Sequence, residues 1–304
     1  KQERGEKMKK PNLLFVFADQ WRRDAMGFME KDEVITPNID SFSEESLSFD
    51  NAMSACPLCS PNRATMFTGT YPVTHGVWTN CKPGLKDVAL RETDITLMDV
   101  LKENGYKTGY IGKWHLDSPE INFCEAPESG ARDWDAFTPP GKRRHGVDFW
   151  YSYGTYDQHL TPHYWHDDNK MIQINQWSVE HETDKAIEFI NENKDEPFSL
   201  VVSWNPPHTP LDLVPQKYVD MYAGKKFKVN PNVLLKERGF IKVEDGEIKD
   251  FDAFVNSSGI SAQVIVNNLD RLKELRELLE EYKDELFIES IFSKEEASEL
   301  GAEG

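Results

Sequence analysis

Short apolar runs alternate, over the first two thirds of the chain, with stretches in which apolar residues recur every three or four positions. That alternation predicts a parallel sheet covered by helices on both faces. Leu13 to Phe17 reads as a buried strand that runs out at Asp19. Thr36 and Pro37 open a short helix through Glu45. Ser60 and Pro61 start the next, serine as the N-cap and proline as the first helical residue. Thr96 to Asn104 forms a helix stopped by Gly105, and Lys107 to Ile111 returns as a strand ending at Gly112-Lys113-Trp114-His115. Ser178 caps a long amphipathic helix through Asn193. Phe198 to Trp204 is another buried strand, followed by Asn205-Pro206-Pro207-His208.

Beyond Asn230 the pattern changes. A proline-started helix ends near Gly239, a hairpin turns around Glu244-Asp245-Gly246-Glu247, and Ala262 to Val266 is a strand. A charge-rich helix from Asp270 to Asp284 with a solvated outer face, a strand from Leu286 to Ile291 and a capped turn from Ser293 complete the chain. The fold class expected is α/β: a mostly parallel sheet sandwiched by helices over residues 11–222, and a small α+β subdomain over residues 230–304, joined near Lys225 to Val229.

Several chemically capable residues fall where such a sheet binds ligands. Asp19, the pair Lys113 and His115, and His208 each follow the carboxyl end of an expected strand. Cys59 lies at a helix start, where unpaired N–H groups favour anions, and Arg63 one turn later can return its fork to the same point. Taken singly, Cys59 also reads as a buried apolar cysteine, or as half of a Cys56-x-x-Cys59 redox or zinc pair.

Charge narrows the partners. With 35 Lys and Arg against 53 Asp and Glu, the net charge is -18, and no basic stripe is available for nucleic acid. Anion recognition must therefore be local, through Arg63, Lys113 and neighbouring histidines. The four cysteines (Cys56, Cys59, Cys81 and Cys124) are too few and scattered for a disulfide scaffold, so a reducing compartment is compatible. Lys1 to Lys10 are charged, with Met8 a candidate initiator, and the run Leu13 to Ala18 is too short to span a bilayer. The expectation is no membrane partner and no export signal in the chain as it stands. That places it in the cytoplasm, or in the periplasm or outside the cell if a signal has been removed.

Cys59-Ser60-Pro61-Asn62-Arg63, followed by Ala64 to Gly69, resembles the signature of the type I sulfatases of the alkaline phosphatase superfamily. The resemblance implies that a formylglycine-generating maturation enzyme oxidises Cys59, and that a hydroxyl of the hydrated aldehyde attacks sulfur. Cys56 lacks the required proline and arginine offsets and reads as structural. Pro11 to Asp19 is similar to the family's first strand, whose terminal acid binds a divalent cation. Gln20 stands where a second aspartate is frequent, as in the branch with choline sulfatases and phosphonate monoester hydrolases. The implied metal set is Asp19, Gln20 and the modified Cys59, suited to Ca2+, with Mg2+ or Mn2+ as alternatives. Gly112-Lys113-Trp114-His115 resembles the block whose lysine and histidine contact sulfate oxygens. Pro207-His208-Thr209-Pro210 resembles the block whose histidine faces the leaving group, as a general acid would.

The resemblance runs from about Pro11 to about Tyr222. The family's later Asp-His or Asp-Asn pair, in a Ser-Asp-His-Gly-like block, has no counterpart, which leaves a hard cation short of ligands; His159, His163, His166, Asp167 and Asp168 are the candidates to substitute. Residues 139–168, rich in aromatics and histidine, read either as a platform for a sugar ring or as a packed loop. Leu234 to Phe240 and Glu295 to Gly301 resemble the cap subdomain of the superfamily's phosphodiesterases and nucleotide pyrophosphatases. The function implied is hydrolysis of sulfate monoesters, of a sulfated glycan or an aryl sulfate. Arg63 and Lys113 would stabilise charge, and His115 would hydrogen-bond the nucleophile or the ester. The alternatives are a phosphonate monoester or phosphodiester hydrolase, or a catalytically silent protein that retains the anion pocket.

Overall fold

Alternating side chains on two central strands divide the core of the first unit into two layers. The computed structural model describes residues 10–49, 51–121, 133–223, 231–244, 247–258, 261–283, 286, 288, 290–294 and 296. Residues 1–223 and 224–304 form two compact units. In chain order the first contains β1 (Leu13–Ala18), α1 (Pro37–Glu44), α2 (Cys59–Thr68), α3 (Pro72–His75), α4 (Leu97–Glu103), β2 (Lys107–Lys113) and β3 (Phe149–Tyr153). β4 (His163–Tyr164), β5 (Ile172–Gln173), α5 (Ser178–Asn193), β6 (Phe198–Trp204) and α6 (Gln216–Asp220) follow. The main sheet has the order β1-β6-β2-β3, and every pairing in it is parallel.

Tyr110 and Val201 point into one layer, with Phe67, Met98, Trp114 and Trp150. Ile111, Leu200 and Val202 point into the other, with Tyr151, Tyr164, Trp165 and Phe189. α2 and α4 thus cover one face and α5 the other.

Three expectations are corrected. β1 is not buried: Leu14, Phe15 and Val16 are 52%, 38% and 46% exposed, because β1 has a single neighbour, β6, in the described sheet. Ser60 does not cap α2. Leu58 takes that position, and Ser60 Oγ instead donates to His115 O (2.6 Å) and accepts from Cys81 N (3.1 Å). Ser178 likewise lies inside α5, with Trp177 at the cap and the serine hydroxyl buried without a partner. Thr96 does cap α4, in a reciprocal capping box with Asp99.

α5 also buries an acid. Glu182 is fully enclosed; Oε1 accepts from Tyr164 OH (2.9 Å), Oε2 has no partner, and burial pushes its pKa up to about 8. The folded chain therefore keeps a proton that the unfolded chain releases near 4.5, so stability falls as pH rises from there through about 8. Glu182→Gln is expected to be nearly neutral at pH 5 and to raise the melting temperature by about 5 °C at pH 8.5. Equal shifts in melts at the two pH values would contradict a buried neutral acid.

The second unit contains α7 (Pro231–Glu237), β7 (Ile241–Glu244), β8 (Glu247–Phe251), β9 (Ala253–Ser258), β10 (Ser261–Val266) and α8 (Leu272–Glu281). β7 with β8 and β9 with β10 form two antiparallel pairs. Leu275, Leu278 and Leu279 of α8 bury against Leu234, Leu235, Phe240 and Val255. The strand expected over Leu286 to Ile291 is absent among its described residues. Leu286 N and Ile288 N bond back to Tyr282 O and Lys283 O instead, although both side chains pack on the same core. Ser293 and Glu296 bond reciprocally, as a capped turn requires. Cys124, the turn residues 245–246, the junction 225–229 and residues 297–301 lie outside the described residues.

Candidate active site

Parallel strands deliver their carboxyl ends to one edge, and three of them end together here. Asp19, the residue after β1, is tied by its N–H to Trp204 O at the end of β6 (2.9 Å). Lys113 ends β2, preceded by Gly112 at φ 96, where a Cβ would lie 2.2 Å from Ser203 O. Only glycine lets β2 bend this closely past β6. Cys59 is the first residue of α2.

The side chains converge on Asp19. Cys59 Sγ donates to Oδ1 (3.3 Å), while Lys113 Nζ (2.7 Å) and Arg63 Nη2 (3.1 Å) both reach Oδ2. Arg63 Nη1 donates to Lys113 O (2.6 Å) and Ser203 Oγ (2.7 Å), which fixes the guanidinium plane. Burial would raise the Asp19 pKa; Arg63 and then Lys113 outweigh it and hold the carboxylate far below its usual range.

His208 closes the cluster from the loop after β6. Its Nδ1–H is shared between Thr209 O (2.8 Å) and Asp157 Oδ1 (3.3 Å), and the ring also faces the Cys59 thiol. Asp157, then Cys59, hold the imidazole up at about 9, against burial that would lower it. Asp157 is held down at about 2: burial opposes this, and bonds from His208 and Asn205 prevail. Asn205 links the two halves, accepting from Lys113 Nζ (3.0 Å) and donating to Tyr156 O and Asp157 Oδ1 (both 3.0 Å).

The sulfatase family model matches residues 11–280. The chain belongs to the sulfatase family. It is 40% identical to an endo-4-O-sulfatase of Bacteroides thetaiotaomicron over 67% of this chain and 44% of that one. It is 31% identical to an ulvan-active sulfatase of Formosa agariphila over 89% and 49%. Among solved structures, yidJ of Bacteroides fragilis, assigned as a sulfatase, is 41% identical with a TM-score of 0.67, over 81% of this chain and 53% of that one. The chain spans about half the length of the curated relatives it matches. The family match extends past Tyr222, where the resemblance read from the sequence stops, to residue 280.

Sulfatase membership implies a divalent metal and a formylglycine in general. The described donors of this family member do not by themselves fit the metal. Asp19 already neutralises two cations through one oxygen, Gln20 is exposed on left-handed backbone (φ 57), and no group of three or more His, Cys, Asp or Glu able to hold an ion occurs among the described residues. A hard cation requires about six oxygens or more. The suggested substitutes are committed elsewhere. His159 Nε2 donates to His208 O (2.9 Å), His163 Nε2 to Asp135 Oδ2 (2.7 Å), and a ring nitrogen of His166 to Trp150 O (2.7 Å). Asp167 is exposed, and Asp168 accepts from Lys170 N. Elemental analysis after desalting is therefore expected to find well under one equivalent of calcium, and a full equivalent would overturn this donor count.

His115 is buried beside the cluster, within the field of Lys113, Arg63 and Asp19. Nε2–H donates to Cys81 O (3.0 Å), Nδ1 has no partner, and burial, then Lys113 and Arg63, push its pKa down to about 3. It is a neutral imidazole with one lone pair to offer. The aromatic segment 139–168 is mostly core: Trp150, Tyr151, Tyr153, His163, Tyr164 and Trp165 are all buried. Arg143 pairs with Asp117, and Arg144 lies over the Trp150 ring. The packed-loop alternative therefore describes this segment. Sequence reasoning missed Asn205, Asp157 and Ser203. Asn205 follows a strand end as Asp19 does and was open to the same rule, whereas Asp157 carries no local signal.

Proposed function

We propose that this chain carries the ester-cleaving centre of a sulfatase acting on sulfated glycans, with Cys59, converted to formylglycine, as the nucleophile. The observation that carries the reading is the placement of Cys59 Sγ 3.3 Å from Asp19, with Arg63, Lys113 and His208 around it. Cys59 is half-buried, open enough for a maturation enzyme to reach. Once formed, the hydrated aldehyde supplies one hydroxyl to attack sulfur and a second whose deprotonation releases sulfate. Arg63 and Lys113 orient and neutralise the sulfate oxygens in a water-poor setting, and Nδ1 of His115 is free to accept a hydrogen bond from a hydroxyl of the nucleophile. His208, protonated at neutral pH, gives its proton to the departing alkoxide. The glycan assignment leans on the relatives named as endo-4-O-sulfatase and ulvan-active sulfatase. The carboxylate of Asp19 is a hard oxygen donor, which favours calcium over a softer ion once further ligands are supplied; Gln20, exposed, is not one of them in this arrangement.

The test compares an aryl sulfate with an aryl phosphonate, beside mass spectrometry of the Cys59 peptide. Sulfate is expected to be hydrolysed faster and the peptide to carry the aldehyde; phosphonate faster by orders of magnitude would displace the reading. Turnover of alkyl sulfates is expected to decline as alkaline pH removes the proton from His208, whose imidazole Asp157 holds above its ordinary range. A second reading rests on Asp19, already paired with two cations and, among the described residues, not part of a group able to hold an ion: a chain that binds sulfate without cleaving it. An unmodified Cys59 and no turnover would favour that one.

A further inference from the structure

The segment after β3 is anchored from beneath by groups that the catalytic cluster does not use. Asp135 is completely buried, and its Oδ1 accepts three backbone N–H groups: Ala136 (2.9 Å), Gly154 (2.7 Å) and Thr155 (2.9 Å). Its Oδ2 takes the Nε2–H of His163 at 2.7 Å. His163 is also buried, and its ring centroid lies 4.3 Å from that of Tyr156. Burying a carboxylate costs several kcal/mol unless its bonds are complete. Here they are complete, and what they enforce is the position of four residues.

Gly154 and Thr155 are gripped by Asp135, Tyr156 by the His163 ring, and the next residue is Asp157. Tyr156 O and Asp157 Oδ1 both accept from Asn205, and Asp157 shares the His208 Nδ1–H. Gly154 leaves no room for adjustment: a Cβ there would lie 2.5 Å from Ala136 N and 2.7 Å from Asp135 Oδ1. The Asp157 side chain is 45% exposed, so water competes for it wherever the loop beneath is not held.

We propose that the Asp135–His163 pair is a positioning unit for His208: it clamps residues 154–157 so that Asp157 keeps the imidazole turned toward the nucleophile. The role rests on the reading of His208 as the acid for the leaving oxygen. The other groups facing His208 are Cys59, Lys113 and Asp19, with His159 holding its carbonyl, and none of them lies on the clamped loop.

Solvent exchange of the His208 Nδ1–H, read by NMR at one fixed pH in the full chain, tests this without turnover. Wild type is expected to show a protected proton, and Asp157→Ala to exchange it faster. Asp135→Ala should move in the same direction, whereas Asp135→Asn, whose amide oxygen still accepts the three N–H groups and whose NH2 donates to His163 Nε2 in the other imidazole tautomer, should stay near wild type. Gly154→Ala is the second variant, because it displaces the loop without removing a charge or emptying a buried site; it too should speed exchange. A folded Asp135→Ala that exchanges as wild type overturns the proposal. Should that variant not fold, wild-type exchange in Gly154→Ala does the same. In turnover, Asp135→Ala should slow alkyl sulfates at least about tenfold more than aryl sulfates, since only the poorer leaving group needs the proton. Equal losses on both would also count against it. If wild type cleaves no sulfate yet the exchange rates move as stated, the clamp stands and only the reading of the reaction falls.

Discussion

Cys59→Ala is expected to lower turnover of an aryl sulfate by on the order of 10^4-fold or more, with the melting temperature nearly unchanged. The size follows from the role: removing the nucleophile of a site that acts as a unit costs about as much as removing the unit. The small effect on folding follows from the surroundings. Among the described residues the thiol donates to Asp19 Oδ1 and faces His208, while the start of α2 is held by Ser60 and by Asn62 N bonding to Leu58 O. A second readout compares this variant with wild type whose Cys59 is still a thiol. His208 then loses one of the groups that hold its imidazole up, so it should titrate lower even where no reaction is followed. Undiminished hydrolysis by the alanine variant would exclude Cys59 as the nucleophile.

Arg63→Met should be the most damaging substitution for stability. Arg63 is buried, and its Nη1 and Nη2 serve Lys113 O, Ser203 Oγ and Asp19 Oδ2 at once. Breaking a buried pair from one side leaves the partner charge with less compensation and costs about 3–5 kcal/mol, or on the order of 10 °C in melting temperature for a domain of this size. Lys113 alone would then neutralise Asp19, so the carboxylate pKa should rise from its depressed value. The lost stability therefore grows above the ordinary Asp range and shrinks as acid protonates Asp19 in both states. Denaturation of wild type and variant at pH 7 and pH 3 measures this, and a loss below 1 kcal/mol at pH 7 would show that Arg63 is not the keystone the geometry makes it.

Local pattern reached far into this molecule. The apolar runs located β1, β2 and β6, capping residues located α4, and proline-glycine punctuation located most of the second unit. β3, β4 and β5 escaped because they are short or lie in aromatic-rich text whose period does not separate strand from loop. Ser60 and Ser178 show where capping preference is overridden: a tertiary acceptor claims Ser60, and the Ser178 hydroxyl is buried without a partner inside the first turn of α5. Asp135 and Asp157 were silent in the sequence because neither sits at a strand end or in a spaced motif; apart from Ala136 beside Asp135, their partners are 19 and more residues away.

The sequence by itself determined the parallel α/β architecture, the residues that end its strands and a helix start beside Cys59, because these depend on periods of two to four residues. Only the tertiary structure decided that Asp19 is paired with two cations, that His115 is neutral and turned toward Cys81, and that a buried carboxylate beneath β3 holds Asp157 against His208. Those facts depend on distances between residues 19 to 94 positions apart and on how much water is left between them, and no local period encodes either.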